Sequence, residues 1–400
     1  MTAKARSIFD YYTHDVSRGD FQKVFTRDTP EAYRYFARGI DMDRLAAEPW
    51  YRRWPLHARL VFTGFTMRLS PGRRVLYGFA LASTLLGVLM LFDGFGPVNF
   101  LVFPFTISLP LPNWVDGTMW LVLGFVAVNL LILMEVADRL SLKGDLEIAR
   151  DIQLAMLPSG LHQAGDAVIC GVTQPANTVG GDLYDIIERP DGRLVIALGD
   201  VAGKGSPAAL LMALLVAMLR TLVDEGLDPA ALAARLNAQV LRHSPASRFI
   251  TLFVGVYDPR DGSLEYVNAG HLPPIVRRAD GRFDKLDTSG SGIALGMFEH
   301  AGYTAQRLTI HPDEVLVLYS DGITEAENRA GAPFEESGLL SVVGANAARD
   351  PQLLGRAILG GVKAHVGDAR FADDLTVLVL RRAHAVSDSS RAAAQPVEGP

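Results

Sequence analysis

The stretch ALGDVAGKGSPAALLMALL, residues 197–215, joins an apolar run to an Ala/Leu/Met-rich segment through a glycine-rich turn. Its Gly203-Lys204-Gly205-Ser206 resembles part of a P-loop, which requires a glycine, four residues and then Gly-Lys-Ser/Thr. Leu198 stands where the first glycine is needed, and Gly205 follows the lysine where a hydroxyl residue is needed. The spacing therefore excludes a phosphate-binding P-loop.

The acid just before this turn is the stronger functional candidate. The apolar run ends in Gly-Asp at Asp200, which places a carboxylate at the end of a predicted strand. Ser206 as N-cap and Pro207 at the first helical position predict that a helix begins here. A carboxylate on a loop between a strand and a helix is well placed to bind a metal ion.

The bulk composition limits the class of protein. The chain has 400 residues and a formal net charge of -6, which argues against nucleic-acid binding. Its single cysteine, Cys170, excludes an intrachain disulfide framework and fits a reducing compartment. The first 40 residues lack the apolar core of a cleavable secretory signal.

A long apolar region predicts membrane spans. Asp93 and Asp116 are its only charged residues, and they divide it into uncharged blocks at 75–92, 94–115 and 117–134. The first and third blocks are long enough to cross a bilayer as helices. The middle block contains four prolines, which disfavour a spanning helix and favour an interfacial or re-entrant hairpin.

Basic residues predict the orientation of these spans. Lysine and arginine are absent between the spans and flank them on the outside, at Arg52, Arg53, Arg59, Arg68, Arg73, Arg74, Arg139 and Lys143. The positive-inside rule then puts both ends of the chain in the cytoplasm, in a multi-pass protein of the inner (cytoplasmic) membrane.

The pattern changes from about residue 165 to short apolar strands separated by turns. Five runs are strand-like, namely RLVIALGD, FITLFVGVYD, SLEYVNAG, EVLVLYSDG and DLTVLVLRR, and helices are predicted at 207–225, 228–243 and 351–365. This pattern predicts an α+β fold with a central antiparallel β-sandwich flanked by helices, preceded by a helical membrane region. The expected layout is a cytoplasmic helical region at 1–70, a transmembrane region at 71–136, a helical signalling linker at 137–160, a catalytic domain at 161–383 and a disordered tail at 384–400.

The linker carries apolar residues at three- to six-residue steps, at Val136, Leu140, Leu146, Ala149, Ile152 and Met156. Such a stripe can form a short parallel coiled coil, so we expect a homodimer through this helix. A passive membrane tether is the alternative.

Four acids share one setting, each at or beside a strand end next to a small residue. They are Asp182, Asp200, Asp321 and one of the pair Asp373 and Asp374. Converging carboxylates repel one another unless a cation offsets their charge, and oxygen-only ligands indicate Mg²⁺ or Mn²⁺. Two such ions can activate a water molecule and polarise a phosphoryl group.

Seven runs in this order resemble the metal-dependent (PPM, protein phosphatase 2C-like) serine/threonine phosphatases, in their bacterial stage II sporulation protein E/RsbU branch. They are ARDIQLAMLP, PANTVGGDLYD, GDVAGKGSPAAL, ITLFVGVYD, YVNAGHLPPIV, LYSDGITEAEN and DDLTVLVL, and they cover about residues 149–381. The resemblance implies the PPM fold and two divalent cations, Mn²⁺ or Mg²⁺.

The resemblance also implies residue roles. Asp200 would bridge both ions, Asp182 and the carbonyl of Val201 would complete the ligands of one, and Asp321 with Asp373 those of the other. The choice of Asp373 over Asp374 stays open. Asp182, Asp200 and Asp321 would thereby be the catalytic residues.

The chain also departs from the family. Ala202 stands where animal relatives have a histidine that is a candidate general acid, so bound water or Lys204 would have to protonate the leaving group. For Lys204 the simpler interpretation is a solvated loop lysine. Glu335 stands where the family often has glycine, and His271 is interpreted as a structural residue.

The predicted function is a membrane-anchored phosphatase acting on phosphoserine or phosphothreonine of a regulatory protein. By the resemblance, the substrate would be an anti-sigma factor antagonist with a STAS domain. One alternative is a diguanylate-cyclase-like enzyme, because GGDLY mimics GGDEF, although Leu183 and Tyr184 replace the Glu-Phe pair. The other is a catalytically dead docking module.

Overall fold

The computed structural model describes residues 49–67, 69–92, 95–102, 104–112, 114–244 and 248–383. These residues form two compact units, divided between Leu140 and Ser141 inside a helix. The predicted cytoplasmic region 1–70 lies outside the described residues up to position 48, and so does the predicted disordered tail at 384–400.

The described part of the N-terminal unit consists of helices and one β-hairpin. Its elements are α1 (Trp50–Thr66), α2 (Pro71–Phe92), β1 (Phe95–Val102), β2 (Phe105–Pro112) and the first part of α3 (Trp114–Met156). β1 and β2 pair antiparallel, with Pro97 opposite Pro110. The hairpin expected from the prolines is therefore a β-hairpin, and prolines fit because each strand of a two-stranded sheet has a free edge.

Small residues line the contact between α2 and α3 within this unit. Ala80, Ser83 and Ala127 are buried, whereas Leu85 and Leu133 are exposed. This distribution is opposite to that of a water-soluble core and is typical of helices packed in a membrane.

The C-terminal unit contains two antiparallel sheets, ordered β10-β9-β12-β13-β4-β3 and β11-β8-β7-β6-β5. The strands are β3 (His162–Ala164), β4 (Ala167–Gln174), β5 (Leu183–Glu188), β6 (Leu194–Val201), β7 (Ile250–Asp258), β8 (Ser263–Ala269), β9 (Ile275–Arg277), β10 (Phe283–Lys285), β11 (Gln306–Thr309), β12 (Val315–Tyr319) and β13 (Leu375–Arg382). All five strand-like runs in the sequence form strands, as β6, β7, β8, β12 and β13.

Helices cover the outer faces of both sheets. They are α4 (Ser206–Val223), α5 (Pro229–His243), α6 (Asp321–Thr324), α7 (Glu335–Asn346) and α8 (Pro351–Val366). α4 and α5 pack against the five-stranded sheet, and α8 packs against β4 and β13 of the six-stranded sheet. The predicted antiparallel sandwich flanked by helices is confirmed.

The strands of this sandwich are apolar on both sides because both sides are covered. In β12, Leu316 and Leu318 join the core between the sheets, while Val315, Val317 and Tyr319 join the core under α7 and α8. The period-two alternation of side chains thus divides one continuous apolar run between two cores.

Among the residues that the structure describes, three helical segments are long and apolar enough to cross a membrane, namely Pro71–Leu91, Gly117–Met156 and Ser206–Val223. The third is α4, whose Leu215 and Leu219 are fully buried in the core of the C-terminal unit. Packing against the five-stranded sheet therefore explains the apolar character of α4.

The start of α4 differs from the sequence prediction. Its N-cap is Gly205 with φ 75°, and Ser206 is already the first helical residue. The chain enters the helix through a left-handed conformation that glycine adopts without strain, so a serine N-cap is not needed.

Candidate metal centre

The five-stranded sheet brings two of the predicted acids to one edge. β6 ends with Asp200 and Val201, and its antiparallel neighbour β5 begins directly after Asp182. In their register Leu183 lies opposite Gly199, so the two aspartates follow on adjacent strands at the same end of the sheet.

The six-stranded sheet brings the other acids to its own edge. Asp321 follows the end of β12 and opens α6, and Asp373 and Asp374 come directly before β13. β12 and β13 are antiparallel neighbours, with Tyr319 opposite Val377. The end of one strand and the start of the other are therefore adjacent.

Three of these acids line a single cavity of about 420 Å³. They are Asp200, Asp321 and Asp373, and its other lining residues include Glu325, Lys204, Phe249, Thr251, Gly270 and His271. Lys204 is the only lysine or arginine among the described residues that line it. The cavity is open to solvent and strongly acidic.

Asp182 and Asp374 do not line this cavity; both are buried and line a smaller neighbouring pocket. The carboxylate of Asp374 accepts hydrogen bonds from the amides of Ala176 (2.8 Å) and Gly181 (2.6 Å). Asp373 thus faces the cavity, while Asp374 holds the backbone that leads into Asp182.

Burial and mutual repulsion disfavour ionisation of these acids. Burial first, and then the nearby charge of Asp200, raise the pKa of Asp182 well above its usual value. Burial and the charges of Asp321 and Asp373 raise the pKa of Asp200 to about 7. Burial and Asp373 also raise the pKa of Asp321. Each of these shifts is what a bound cation would offset.

The oxygen atoms at this site are suited to binding divalent cations. Oδ2 of Asp182 is buried and has no hydrogen-bond partner within the described part of the chain. A Cβ at Gly181 would stand 3.1 Å from the carbonyl oxygen of Val201 and 3.4 Å from Oδ1 of Asp200, so this residue leaves both oxygens accessible. All these donors are oxygens, the ligands that Mg²⁺ and Mn²⁺ prefer.

The carboxylates are nevertheless not yet gathered into a coordination sphere. Over the described ranges, no three His, Cys, Asp or Glu side chains are grouped closely enough to hold an ion as they stand.

Lys204 is more than half exposed, as expected of a loop lysine, but it also makes two specific contacts. Its Nζ donates to the carbonyl of Ala372 (2.7 Å) and forms an ion pair with Oδ2 of Asp373 (2.8 Å). The neighbouring loop is fastened by Arg248, whose Nη1 donates to the carbonyl of Ala202 (2.9 Å). The lysine thus holds an oxygen of a candidate metal ligand.

His271 has the contacts of a structural residue. Its ring Nδ1 lies 3.0 Å from Oγ1 of Thr251, and its amide donates to Oδ1 of Asn268 (2.6 Å). Burial lowers the pKa of His271 to about 4, so its imidazole is neutral at physiological pH.

Sequence analysis missed two residues of this site. Gln153 on α3 is buried, donating from Nε2 to the carbonyl of Gly180 (2.7 Å) and accepting from its amide at Oε1 (3.1 Å). A Cβ at Gly180 would lie 2.4 Å from Oδ2 of Asp374, so glycine is required there. Glu325 lines the cavity, and its position four residues after Asp321 was the signal available in the sequence.

Comparison with known proteins places the C-terminal unit in a family. Residues 190–383 match the profile of stage II sporulation protein E (SpoIIE). Protein IcfG of Synechocystis sp. is 31% identical over 282 residues, covering 64% of this chain and 44% of IcfG. Phosphoserine phosphatase RsbU of Bacillus subtilis is 29% identical over 242 residues, covering 60% of this chain and 71% of RsbU.

A solved structure agrees at the level of the fold. The SiaA-PP2C domain of Pseudomonas aeruginosa superposes with a TM-score of 0.54 at 22% identity, covering 61% of this chain and 98% of that domain. The antiparallel sandwich and the acids at its strand ends indicate the same family as these relatives. The C-terminal unit therefore contains, over residues 190–383, a stage II sporulation protein E-type domain of the PPM phosphatase family.

Proposed function

We propose that this chain is a membrane-anchored, metal-dependent protein serine/threonine phosphatase. The observation that carries the proposal is the cavity in which Asp200, Asp321 and Asp373 face one another beside a single lysine. Such a concentration of carboxylates is unfavourable without cations and is suited to binding two of them.

The proposed ligands are Asp182, Asp200, Asp321, Asp373 and the carbonyl of Val201. When bound, two Mn²⁺ or Mg²⁺ ions would activate water for attack on phosphorus and offset the charge that develops on the phosphoryl oxygens. Asp200 lines the cavity and is also next to Asp182 on the adjacent strand, so it is the candidate to serve both ions. Asp374 supports the site through its hydrogen bonds and is not a ligand in this proposal.

Lys204 is the protein side chain that we propose takes part in this reaction beside the metal ligands. Its ammonium lies on the cavity wall, where it balances Asp373 and faces an incoming phosphate. Ala202 has no proton to give, so the leaving serine or threonine oxygen must take its proton from solvent or from Lys204.

The proposed substrate is a phosphorylated regulator, specifically an anti-sigma factor antagonist with a STAS domain. The name of the relative RsbU, a phosphoserine phosphatase, supports a phosphoserine substrate. The chain spans only 44% of IcfG and 71% of RsbU, so substrate and partners are carried over as proposals.

Membrane anchoring is supported by α2 and the apolar start of α3. We propose two spans, with both chain ends in the cytoplasm and the β-hairpin at the outer interface. The proposed layout keeps the boundaries 1–70, 71–136, 137–160, 161–383 and 384–400.

We further propose that the chain dimerises through α3 and that this contact regulates the metal centre. Leu140 and Ile152 of the apolar stripe are exposed on the helix and are available to a second copy. On the same helix, Gln153 binds Gly180, two residues before Asp182, and the carbonyl of Met156 accepts a hydrogen bond from Arg220 of α4 (2.6 Å). A shift of the helix end would therefore move the backbone next to a metal ligand.

Insertions after Lys143 test the regulatory part. Three or four extra residues rotate the helix face, and seven complete about two turns and restore it. We expect activity in membranes to change with three or four residues and to recover with seven. Equal activity across the series would show that the helix is a passive tether.

The chemical class is tested by product analysis. The purified chain with Mn²⁺ is expected to release phosphate from a phosphoserine peptide and to form no cyclic dinucleotide from GTP. Cyclic dinucleotide formation would favour the cyclase alternative, and no turnover of either substrate would favour the docking module.

A further inference from the structure

Four apolar side chains stand exposed on one surface of the C-terminal unit. They are Phe249, Ile293, Met297 and Phe298, with 37% to 57% of each residue accessible to solvent. We name these four residues the apolar platform. Three of them belong to the segment 293–298, which lies between β10 and β11 in the chain.

The apolar platform borders the acidic cavity on two sides. Phe249 lines the cavity itself, and a Cβ at Gly296 would lie 3.7 Å from its Cα. Gly270 also lines the cavity, and a Cβ there would lie 2.8 Å from the amide nitrogen of Ala294. The segment therefore runs along the rim of the candidate metal centre.

The backbone under the platform is held in place. Leu295 is fully buried and exchanges two hydrogen bonds with Ile250, of 2.8 and 2.9 Å. Buried Asn237 accepts from the amide of Gly296 (2.8 Å) and donates to the carbonyl of Phe298 (2.9 Å). Met297 and Phe298 are thus presented to solvent from a fixed backbone rather than from a collapsible loop.

We propose that the apolar platform is the docking surface for apolar side chains that flank the phosphorylated residue of the substrate. The inference rests on the proposed phosphatase function and adds to it a class of substrate. Phe249 belongs to both the cavity and the platform, so a phosphoserine in the cavity places its neighbouring residues over Met297 and Phe298. The four platform side chains carry no charge, and covering them removes exposed apolar area from water.

Two phosphoserine peptides test the proposal, identical except that one carries leucine and the other glycine on each side of the phosphoserine. The full-length chain in detergent with Mn²⁺ is assayed for phosphate release from each. We expect kcat/KM to be about tenfold higher for the leucine peptide, as burial of part of one leucine would give. In the double variant Met297→Ser/Phe298→Ser, the ratio between the two peptides should fall close to one.

Leu353→Ser is the matched control, because Leu353 is equally exposed on α8, which packs on the other sheet. It should keep the wild-type ratio. Equal kcat/KM for both peptides in the wild type would overturn the platform while leaving the phosphatase proposal intact. A double variant that keeps the wild-type ratio but loses self-association would assign the platform to contacts between copies and also overturn the proposal. Absence of phosphate release from both peptides would refute the phosphatase function itself.

Discussion

Replacing Lys204 should change how tightly the chain binds its metal ions. The ammonium of Lys204 lies 2.8 Å from Oδ2 of Asp373 and is further held by the carbonyl of Ala372. Asp373 cannot offer this oxygen to a divalent cation while the ion pair persists. Lys204→Ala removes the competitor, so the variant should bind Mn²⁺ more tightly than the wild type.

The size of the effect follows from the exposure of the pair. The side chains of Lys204 and Asp373 are 56% and 39% exposed, so solvent screens their attraction. Exposed ion pairs contribute about 0.2–1 kcal/mol. Relieving that competition corresponds to a dissociation constant for Mn²⁺ that is lower by about 1.4-fold to 5-fold.

Calorimetric titration of Mn²⁺ into metal-free protein measures this change. Lys204→Arg keeps the positive charge and is the control, and its affinity should stay within error of the wild type. Lys204→Ala should also keep most of its turnover at saturating Mn²⁺. Unchanged or weaker binding in Lys204→Ala, or equal tightening in Lys204→Arg, would refute the competition.

Three further predictions concern the stability of the folded chain and the side chains that support the candidate metal centre. Because burial and neighbouring carboxylates raise the pKa of Asp200 to about 7, ionising it costs the metal-free native state stability as pH rises from about 4 to about 7. In EDTA at pH 8, Asp200→Asn should therefore have a higher melting temperature than the wild type, and this difference should shrink toward pH 4. A lower melting temperature for Asp200→Asn at pH 8 would show that repulsion at Asp200 does not destabilise the metal-free protein. Gln153→Ala leaves both buried backbone groups of Gly180 unpaired, at about 1–3 kcal/mol each, so it should destabilise the chain in urea and weaken Mn²⁺ binding. The exposed Gln163→Ala is its control, and identical behaviour of the two variants would exclude a supporting role. Glu335 has φ 60°, a conformation that strains a residue with a side chain. Glu335→Gly should therefore raise the free energy of unfolding by a few tenths to about 1 kcal/mol and leave activity unchanged. A loss of stability would show that the flexibility of glycine in the unfolded chain outweighs the relieved strain.

The sandwich could be predicted from local sequence because its strands are short runs of apolar and β-branched residues. Val315 to Tyr319 and Leu375 to Leu380 are β-branched or apolar at almost every position, as expected for strands covered on both faces. The segment between β7 and β8 contains Pro259 and Gly262, which are typical of a tight turn between antiparallel strands. The β-hairpin at 95–112 was recognised only as a hairpin, because its prolines exclude a helix without indicating strands.

The candidate acids could be recognised in the sequence because each follows a small residue (Gly, Ser or Ala) beside a strand end, but their separate roles could not. Asp373 and Asp374 are adjacent and identical in type, and what distinguishes them is the pair of amides at Ala176 and Gly181, almost 200 residues earlier in the chain. Asp373, the partner of Lys204, is also far from it in sequence. Such contacts depend on how the two sheets pack, which no local pattern records.

The supporting role of Gln153 was hidden for a related reason. Its helix carries polar and apolar residues at mixed spacing, and a glutamine on a helix is ordinarily solvent-exposed. The approach of Gly180 gives each of its two polar atoms a hydrogen bond in a buried setting.

The central claim is that the carboxylates around Asp200 hold the ions that hydrolyse a phosphate ester. The most direct measurement is phosphate release from a phosphoserine peptide as Mn²⁺ is added to metal-free wild type and to Asp200→Asn. The wild type should be inactive in EDTA and activate saturably with Mn²⁺, while Asp200→Asn should lose at least about a hundredfold in turnover, more than the loss typical of an outer-shell change. Full activity of the wild type in EDTA, or near-normal turnover by Asp200→Asn, would contradict the account.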